Sequence, residues 1–374
     1  MRIAYVCADP GIPVFGSKGA SVHIQEIVRA FRARGDEVTV YTSRLGREVP
    51  PDLADLPVVE VPVAAGTVAA EREGAVAAAA AQIARRAVAD GCDLVYERFS
   101  LFAACAAEVS AQLAVPAVVE VNAPLIDEQR AHRVLVDAAR AERIAARALG
   151  SADLVACVSA PVAEWARCHG AERVVVAANG VNTDRIRPGT PRVGGPLRVG
   201  FVGTLKPWHG VDVLVDAVAG LDGVRLVVIG DGPQGDDLRR RARTEGMDAE
   251  FVGAVPPADM PAVLGDLDVG VAPYPADAER YFSPLKVYEY LAAGLPVVAS
   301  RVGQLPAAVT EGVTGLLVDP GDRGALAGAL ASLRDAPEAR RRMARAAREH
   351  AVRRHGWPGV LAGILAQLRT EVPA

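Results

Sequence analysis

The chain has 374 residues, 51% hydrophobic and 23% charged, which is ample for buried cores and the wrong balance for a disordered chain. Lys and Arg total 41 against 45 Asp and Glu, a formal net charge of -4. That balance removes the global electrostatic case for a nucleic-acid binder, though not for a local basic pocket that holds a small anion.

Taken in chain order, MRIAYVCADPG is a short apolar strand (3–7) ending in turn residues, without the charged–apolar–small layout of a signal peptide. A Gly-rich loop follows, then apolar residues at Val22, Ile24, Ile27, Val28 and Phe31, a helical recurrence over 20–34. With a strand at 37–42 this makes a βαβ unit. Further strands are predicted at 94–96, 117–121, 154–157 and 174–177, solidly apolar as strands covered on both faces are. The stretch 179–196, NGVNTDRIRPGTPRVGGP, is polar, rich in Gly and Pro and aperiodic, which marks a linker. Beyond it the pattern restarts, with strands at 198–202, 225–229, 250–252, 269–272, 296–300 and 315–318 and a helix at 211–219. A last helix, 358–368, follows His-Gly-Trp-Pro and is predicted to fold back on the first domain.

The expected architecture is α/β: two doubly wound domains, 1–185 with 355–374 added to it, and 186–354. Ligands of such sheets lie outside the carboxyl ends of the strands, here expected to face each other across a cleft. No apolar run reaches the ~18–20 residues that span a bilayer, so a cytoplasmic protein is expected. Cys7, Cys92, Cys105, Cys157 and Cys168 form no C-x-x-C pair and read as buried or semi-buried free thiols rather than a zinc or disulfide framework.

Three loops carry the chemistry, and together they hold all the lysines of the chain: Lys18, Lys206 and Lys286. Surface charge is otherwise carried by Arg, so each Lys, a compact point charge, marks a place to look. In YPADAERYFSPLKVYEYLAAGLPVVAS (274–300), Ser283 fits an N-cap, Pro284 the first helical position and Gly294 the C-terminal stop. Lys286 then adds a full cation to a helix N-terminus, and Glu289 lies on the same face one turn deeper. Phosphate at the helix tip with a carboxylate on the ribose hydroxyls is a coherent nucleotide site; an ordinary capped helix with an exposed Lys–Glu pair is the bland alternative. In FVGTLKPWHGVDVLVDA (201–217) a strand runs into a loop holding Lys206 and His209, with Trp208 expected as a packing residue. In DPGIPVFGSKGASVH (9–23) Gly16 and Gly19 flank Lys18 and permit close backbone approach. Glycines at 11, 16 and 19 do not give G-x-G-x-x-G, and the next strand ends without an acid for a ribose, which disfavours NAD.

In this order and spacing, these segments with VYERFSLF (95–102), SADLVACVSAPVAEW (151–165), VVVAANGVNTDRIRP (174–188), VIGDGP (228–233) and GVTGLLVDPGD (312–322) resemble family 4 of the retaining, group 1 glycosyltransferases of GT-B fold. The resemblance implies two Rossmann-like domains, the C-terminal one holding a nucleotide-sugar donor and the N-terminal one an acceptor. It implies donor contacts at Gly203, Thr204, His209, Ser283, Pro284, Leu285 and Glu289, with Lys206 and Lys286 as the catalytic cations. Glu289 matches the second Glu of the family's Glu-x7-Glu motif, while Tyr281 stands where the first belongs. Thr204 and His209 stand where an Arg and a Lys often clamp the diphosphate, which leaves Lys206 as the nearest replacement. Gly16, Lys18, Gly19 and Asn122 are carried over to the acceptor or diphosphate side. The implied reaction moves a sugar, UDP-hexose favoured, to an acceptor hydroxyl with retention, without metal or cofactor, in bacterial natural-product or cell-envelope synthesis. The alternatives are an inactive nucleotide-sugar-binding protein of the same fold and, behind it, an NAD-dependent oxidoreductase. No nucleic-acid partner is expected. Peripheral membrane contact through Arg130, Arg133, Arg140, Arg143 and Arg147 stays open, although the interleaved Asp127, Glu128, Asp137 and Glu142 favour a solvated face.

Overall fold

The computed structural model describes residues 1–65, 68–190, 192, 194–277 and 281–368; residues 369–374 of the segment 355–374 assigned to the first domain lie outside them. The chain divides into two units, Met1–Asn179 together with the segment from Trp357 on, and Gly180–Gly356.

The first unit begins with β1 (Arg2–Cys7), α1 (Gly19–Ala33), β2 (Glu37–Thr42) and β3 (Val58–Glu60). It continues through α2 (Ala69–Asp90), β4 (Leu94–Arg98), α3 (Cys105–Leu113), β5 (Ala117–Val121) and α4 (Leu125–His132). The helix α5 (Ala138–Gly150), β6 (Leu154–Cys157), α6 (Ala160–Cys168) and β7 (Val174–Val176) complete this stretch. Among the described residues its sheet is parallel, in the order β3-β2-β1-β4-β5-β6-β7. The inner strands β4, β5 and β6 are buried at every residue, as burial on both faces requires. The edge strand β3, three residues and only partly buried, is too short to leave a readable pattern.

The second unit runs β8 (Leu197–Val202), α7 (Val211–Val218), β9 (Val224–Ile229), α8 (Gly235–Thr244) and β10 (Ala249–Gly253). Then come α9 (Met260–Gly265), β11 (Val269–Ala272), α10 (Leu285–Ala292), β12 (Val297–Ser300) and α11 (Leu305–Ala308). It closes with β13 (Gly315–Val318), α12 (Arg323–Asp335) and α13 (Pro337–Arg354). Its described strands pair in parallel in the order β10-β9-β8-β11-β12-β13 around a core that includes Val199, Phe201, Leu214, Val228 and Leu330. The last helix, α14 (Trp357–Leu368), packs on α1 of the first unit, where Trp357, Leu361, Ile364 and Leu365 join Ile24, Ile27 and Phe31 in one core.

In both sheets the strand order turns back at one point, between β1 and β4 and between β8 and β11, where open α/β sheets bind ligands. The five cysteines are free; Cys168, at the end of α6, is exposed where a buried or semi-buried thiol was expected. Among the described residues no helix is long and apolar enough to cross a membrane.

Candidate active site

In the second unit, β8 and β11 pair at Val199 with Val269 and Gly200 with Gly270, and Phe201 and Val202 run on past that pairing. The side chain of Tyr290, from α10, fills the split. Its hydroxyl accepts the Val202 N–H at 2.7 Å and donates weakly to the Val271 carbonyl at 3.4 Å. A Cβ on Gly270 would sit 2.4 Å from the Tyr290 ring, so a glycine in β11 admits the tyrosine. This anchor sets α10 with its N-terminus at the switch point.

Lys286 lies in the first turn of α10. The residue is half-buried, yet its Nζ is closed off from solvent and has no hydrogen-bond partner among the described residues. The ammonium stands 4.2 Å from the centre of the Phe201 ring and 5.1 Å from that of Tyr274. Burial pulls its pKa down to about 7, against the opposing field of Glu289 one turn on. Gly203, with φ +146°, is favoured here by its backbone conformation, and a Cβ at that position would stand 2.9 Å from the Lys286 Nζ, so the loop runs close beside the ammonium.

The 203–210 loop supplies the remaining groups. Lys206 Nζ lies 4.5 Å over the ring of Trp208, which is half exposed rather than the packing residue expected. His209 Nδ1 contacts the Thr204 carbonyl at 2.5 Å, and because a carbonyl only accepts, the proton sits on Nδ1 and Nε2 carries a lone pair. Burial, with the charges of Lys286 and then Lys206, drops His209 to about 4 in spite of the Thr204 bond, so the ring is neutral at pH 7. Both lysines therefore act on one histidine. The structure thus brings Gly203, Thr204, Lys206, His209, Ser283, Pro284, Leu285, Lys286 and Glu289 to one end of one sheet.

One local expectation fails. Pro284, not Ser283, is the N-cap residue of α10, with no side-chain cap. The Ser283 hydroxyl hydrogen-bonds the phenol of Tyr288 instead, and the Leu285 N–H turns back onto the Ser283 carbonyl at 2.9 Å. The 281–284 approach is pinned by Gln304, whose Nε2 donates to the Phe282 carbonyl at 2.9 Å.

In the first unit, Lys18 is the exposed N-cap residue of α1 and Gly19 its first helical residue. Gly16 is tied to α1 by Gln25 Nε2, at 3.1 Å from its carbonyl. Asn122 follows β5 and donates to Glu120 at 2.9 Å. Glu120 also receives the Tyr96 hydroxyl at 2.9 Å and lies 2.5 Å from His23 Nε2. Burial works to raise the Glu120 carboxyl, but His23, Arg98 and Asn122 outweigh it and hold it at about 2. A cavity of about 760 Å³ opens beside this cluster, lined by Asn122 and by Asp9, Arg98, Phe102 and Arg133. The loop residues Gly16, Lys18 and Gly19 are not among its lining residues. Of the arginines considered for a membrane surface, Arg130 pairs with Glu142 at 2.9 Å and Arg147 with Glu108 at 2.8 Å.

Sequence comparison matches residues 17–185 to the profile described as Glycosyltransferase Family 4 and residues 196–335 to that described as Glycosyl transferases group 1. A D-inositol 3-phosphate glycosyltransferase of Acidothermus cellulolyticus is 30% identical over 97% of this chain and 86% of its own length. The chain belongs to glycosyltransferase family 4. A second relative with that name, from Corynebacterium glutamicum, is 37% identical over 51% of this chain, and the match spans half of that relative's length. Among solved structures, Anabaena Alr3699/HepE in complex with UDP superposes with a TM-score of 0.75 at 21% identity, over 99% of this chain and 100% of the other. WaaG, a glycosyltransferase involved in lipopolysaccharide biosynthesis, gives 0.69 at 17% identity, over 99% and 100%. At such identities these likenesses show the GT-B fold.

Reading this family 4 sequence by motif misses Phe201, Tyr274 and Tyr290, the aromatic residues that enclose or aim Lys286. Each looks like ordinary core in sequence. The one available signal was the glycine at 270 inside an otherwise apolar strand, which marks close approach by another group.

Proposed function

We propose that the second unit binds a nucleoside-diphosphate sugar, with UDP-hexose favoured, and that the protein transfers the sugar to an acceptor hydroxyl held by the first unit, with retention. One observation carries this reading: a desolvated ammonium without a hydrogen-bond partner among the described residues, Lys286, at the first turn of a helix on the switch point of the sheet. A diphosphate would give Lys286 the partner it lacks and would meet the N–H groups of the same turn. Glu289, one turn deeper, suits the ribose hydroxyls. His209, neutral with its lone pair on Nε2, suits a sugar hydroxyl as hydrogen-bond donor better than it suits a phosphate.

In the reaction the bond from the anomeric carbon to the β-phosphate oxygen breaks and the bond to the acceptor oxygen forms. The leaving phosphate oxygen takes the acceptor proton. Charge accumulates on the diphosphate as that bond lengthens, and Lys286 and Lys206 stabilise it in a site from which water is partly excluded. These lysines supply the positive charge, so the reading calls for no metal.

A thermal-shift panel of UDP, GDP, ADP and TDP sugars tests the donor, because ligand binding to the folded state raises the melting temperature by mass action. Stabilisation by UDP-sugars above the others is expected, and no shift with any sugar nucleotide would overturn the reading. Lys206→Ala and Lys286→Ala should each lower kcat by about 100-fold or more with the fold kept. Product with inverted configuration would remove retention alone. Donor binding without hydrolysis or transfer over a broad acceptor screen would favour an inactive binding protein.

A further inference from the structure

The cavity of the first unit contains a group that none of the preceding chemistry uses. Arg98, the last residue of β4, is 8% exposed, and its Nη1 is buried with no hydrogen-bond partner among the described residues. Among the described residues its guanidinium makes no ion pair. Glu120 is close enough to feel its charge, but that carboxylate is already engaged by His23, Tyr96 and Asn122. Arg98 nevertheless lines the 760 Å³ cavity. A buried guanidinium left with unused donors destabilises the fold unless something accepts from it.

The acids of the same wall do not fill that role. Asp9 accepts the Gly11 N–H at 2.7 Å, and Glu73 accepts the Val136 and Asp137 N–H groups at 2.7 and 2.9 Å. The remaining acid of the lining, Glu128, lies on α4, while Arg72 and Arg133 stand exposed at the rim. Phe102, on the same wall, holds φ at +62°, a left-handed conformation that a bulky residue rarely adopts.

We propose that this cavity receives an acceptor carrying an anionic group, a phosphate or a carboxylate, that hydrogen-bonds to Arg98. The word acceptor rests on the glycosyltransferase reading above; the anion site does not. Arg suits the task because its planar fork matches both oxyanions with two parallel bonds. The geometry then selects for charged over neutral hydroxyl compounds, through the term that leaves Arg98 unsatisfied when a neutral one binds.

The test is calorimetric titration of the full chain with glycerol 3-phosphate, glucose 6-phosphate and glucuronate, against glycerol and glucose. Vesicles of phosphatidic acid in phosphatidylcholine, against phosphatidylcholine alone, form a parallel arm that separates a lipid headgroup from a soluble ester. Binding of at least one charged probe, about ten-fold or more tighter than its neutral counterpart, is expected. Arg98→Gln should erase that preference and Arg98→Lys keep part of it. Should Arg98→Gln not fold, Val134→Glu, at an exposed position of the lining, should weaken the charged probes and leave the neutral ones unchanged. Equal binding of charged and neutral probes, no binding of any probe, or full preference in Arg98→Gln would overturn the proposal. UDP-glucose titrated into the same samples keeps the two readings apart, since its failure to bind counts against the donor site and not against this cavity.

Discussion

Lys286 shows how a side chain can be bad for the fold and good for the chemistry. Held apart from water with no hydrogen-bond partner and with its pKa pulled to about 7, it favours the unfolded chain, in which a lysine titrates near ~10.4. Between these two values the unfolded chain keeps a proton that the folded one has released, so this site makes stability rise with pH from about 7 upward. Lys286→Met should therefore stabilise the protein near neutral pH, by on the order of 2 kcal/mol in urea unfolding, while weakening donor binding. A diphosphate favours the protonated form. Donor binding at pH 8 should then take up a proton, visible as a dependence of the calorimetric heat on buffer ionisation enthalpy, and weaken as pH rises toward 9. Binding without proton uptake would mean that Lys286 does not meet the phosphates. Glu120 has the opposite sign: its depressed pKa contributes stability that is present above about pH 4.5 and lost as the pH falls toward about 2.

Among the elements, α10 is tied to the end of its own sheet by Tyr290 and held at its far end by Arg348 Nη1, which donates to the Ala292 carbonyl at 2.9 Å. Tyr290 closes the gap at the carboxyl end of β8 and β11 and satisfies a Val202 N–H that the ladder leaves over. Tyr290→Phe keeps the ring and removes that partner, so a loss of about 1–3 kcal/mol is expected in denaturant unfolding. Because α10 carries Lys286 and Glu289, donor affinity should fall as well; unchanged affinity would show that the helix is held by its other contacts. The lysine-bearing loops and the helix of 285–292 were legible in the sequence because capping, strand–loop–helix order and scarce lysines are local signals. The N-cap was misplaced by one residue, since a long-range demand won: the Ser283 hydroxyl goes to Tyr288 rather than to its own helix end. The Arg98 cavity was not legible. Arg98 follows the apolar run 94–96 and Glu97, and only the arrangement of β4 beside β1 and β5 shows that its guanidinium lacks a partner among the described residues.

For the molecule, the units differ in how the chain builds them. The second is continuous, Gly180–Gly356, with a core of its own; the first needs α14 from the other end of the chain. Trp357 packs edge-on against His23 at 4.7 Å between ring centres, and Leu361, Ile364 and Leu365 complete the wall against α1. A chain ending at Gly356 should lose cooperative unfolding of the first unit, while residues 180–356 should melt as a folded fragment on their own. Circular dichroism of the two fragments checks both, and retention of two sharp transitions in the truncated chain would show α14 to be dispensable.

By itself the sequence determined the class of fold, the succession of strands and helices, and the loops that bear the cations. Those follow from apolar periodicity, turn residues and the rarity of lysine, all readable within about twenty residues. Only the tertiary structure decided which of these charges are taken out of water and which are left without partners. Desolvation and hydrogen-bond satisfaction depend on atoms contributed by distant strands, and it is these two quantities that single out Lys286 and Arg98.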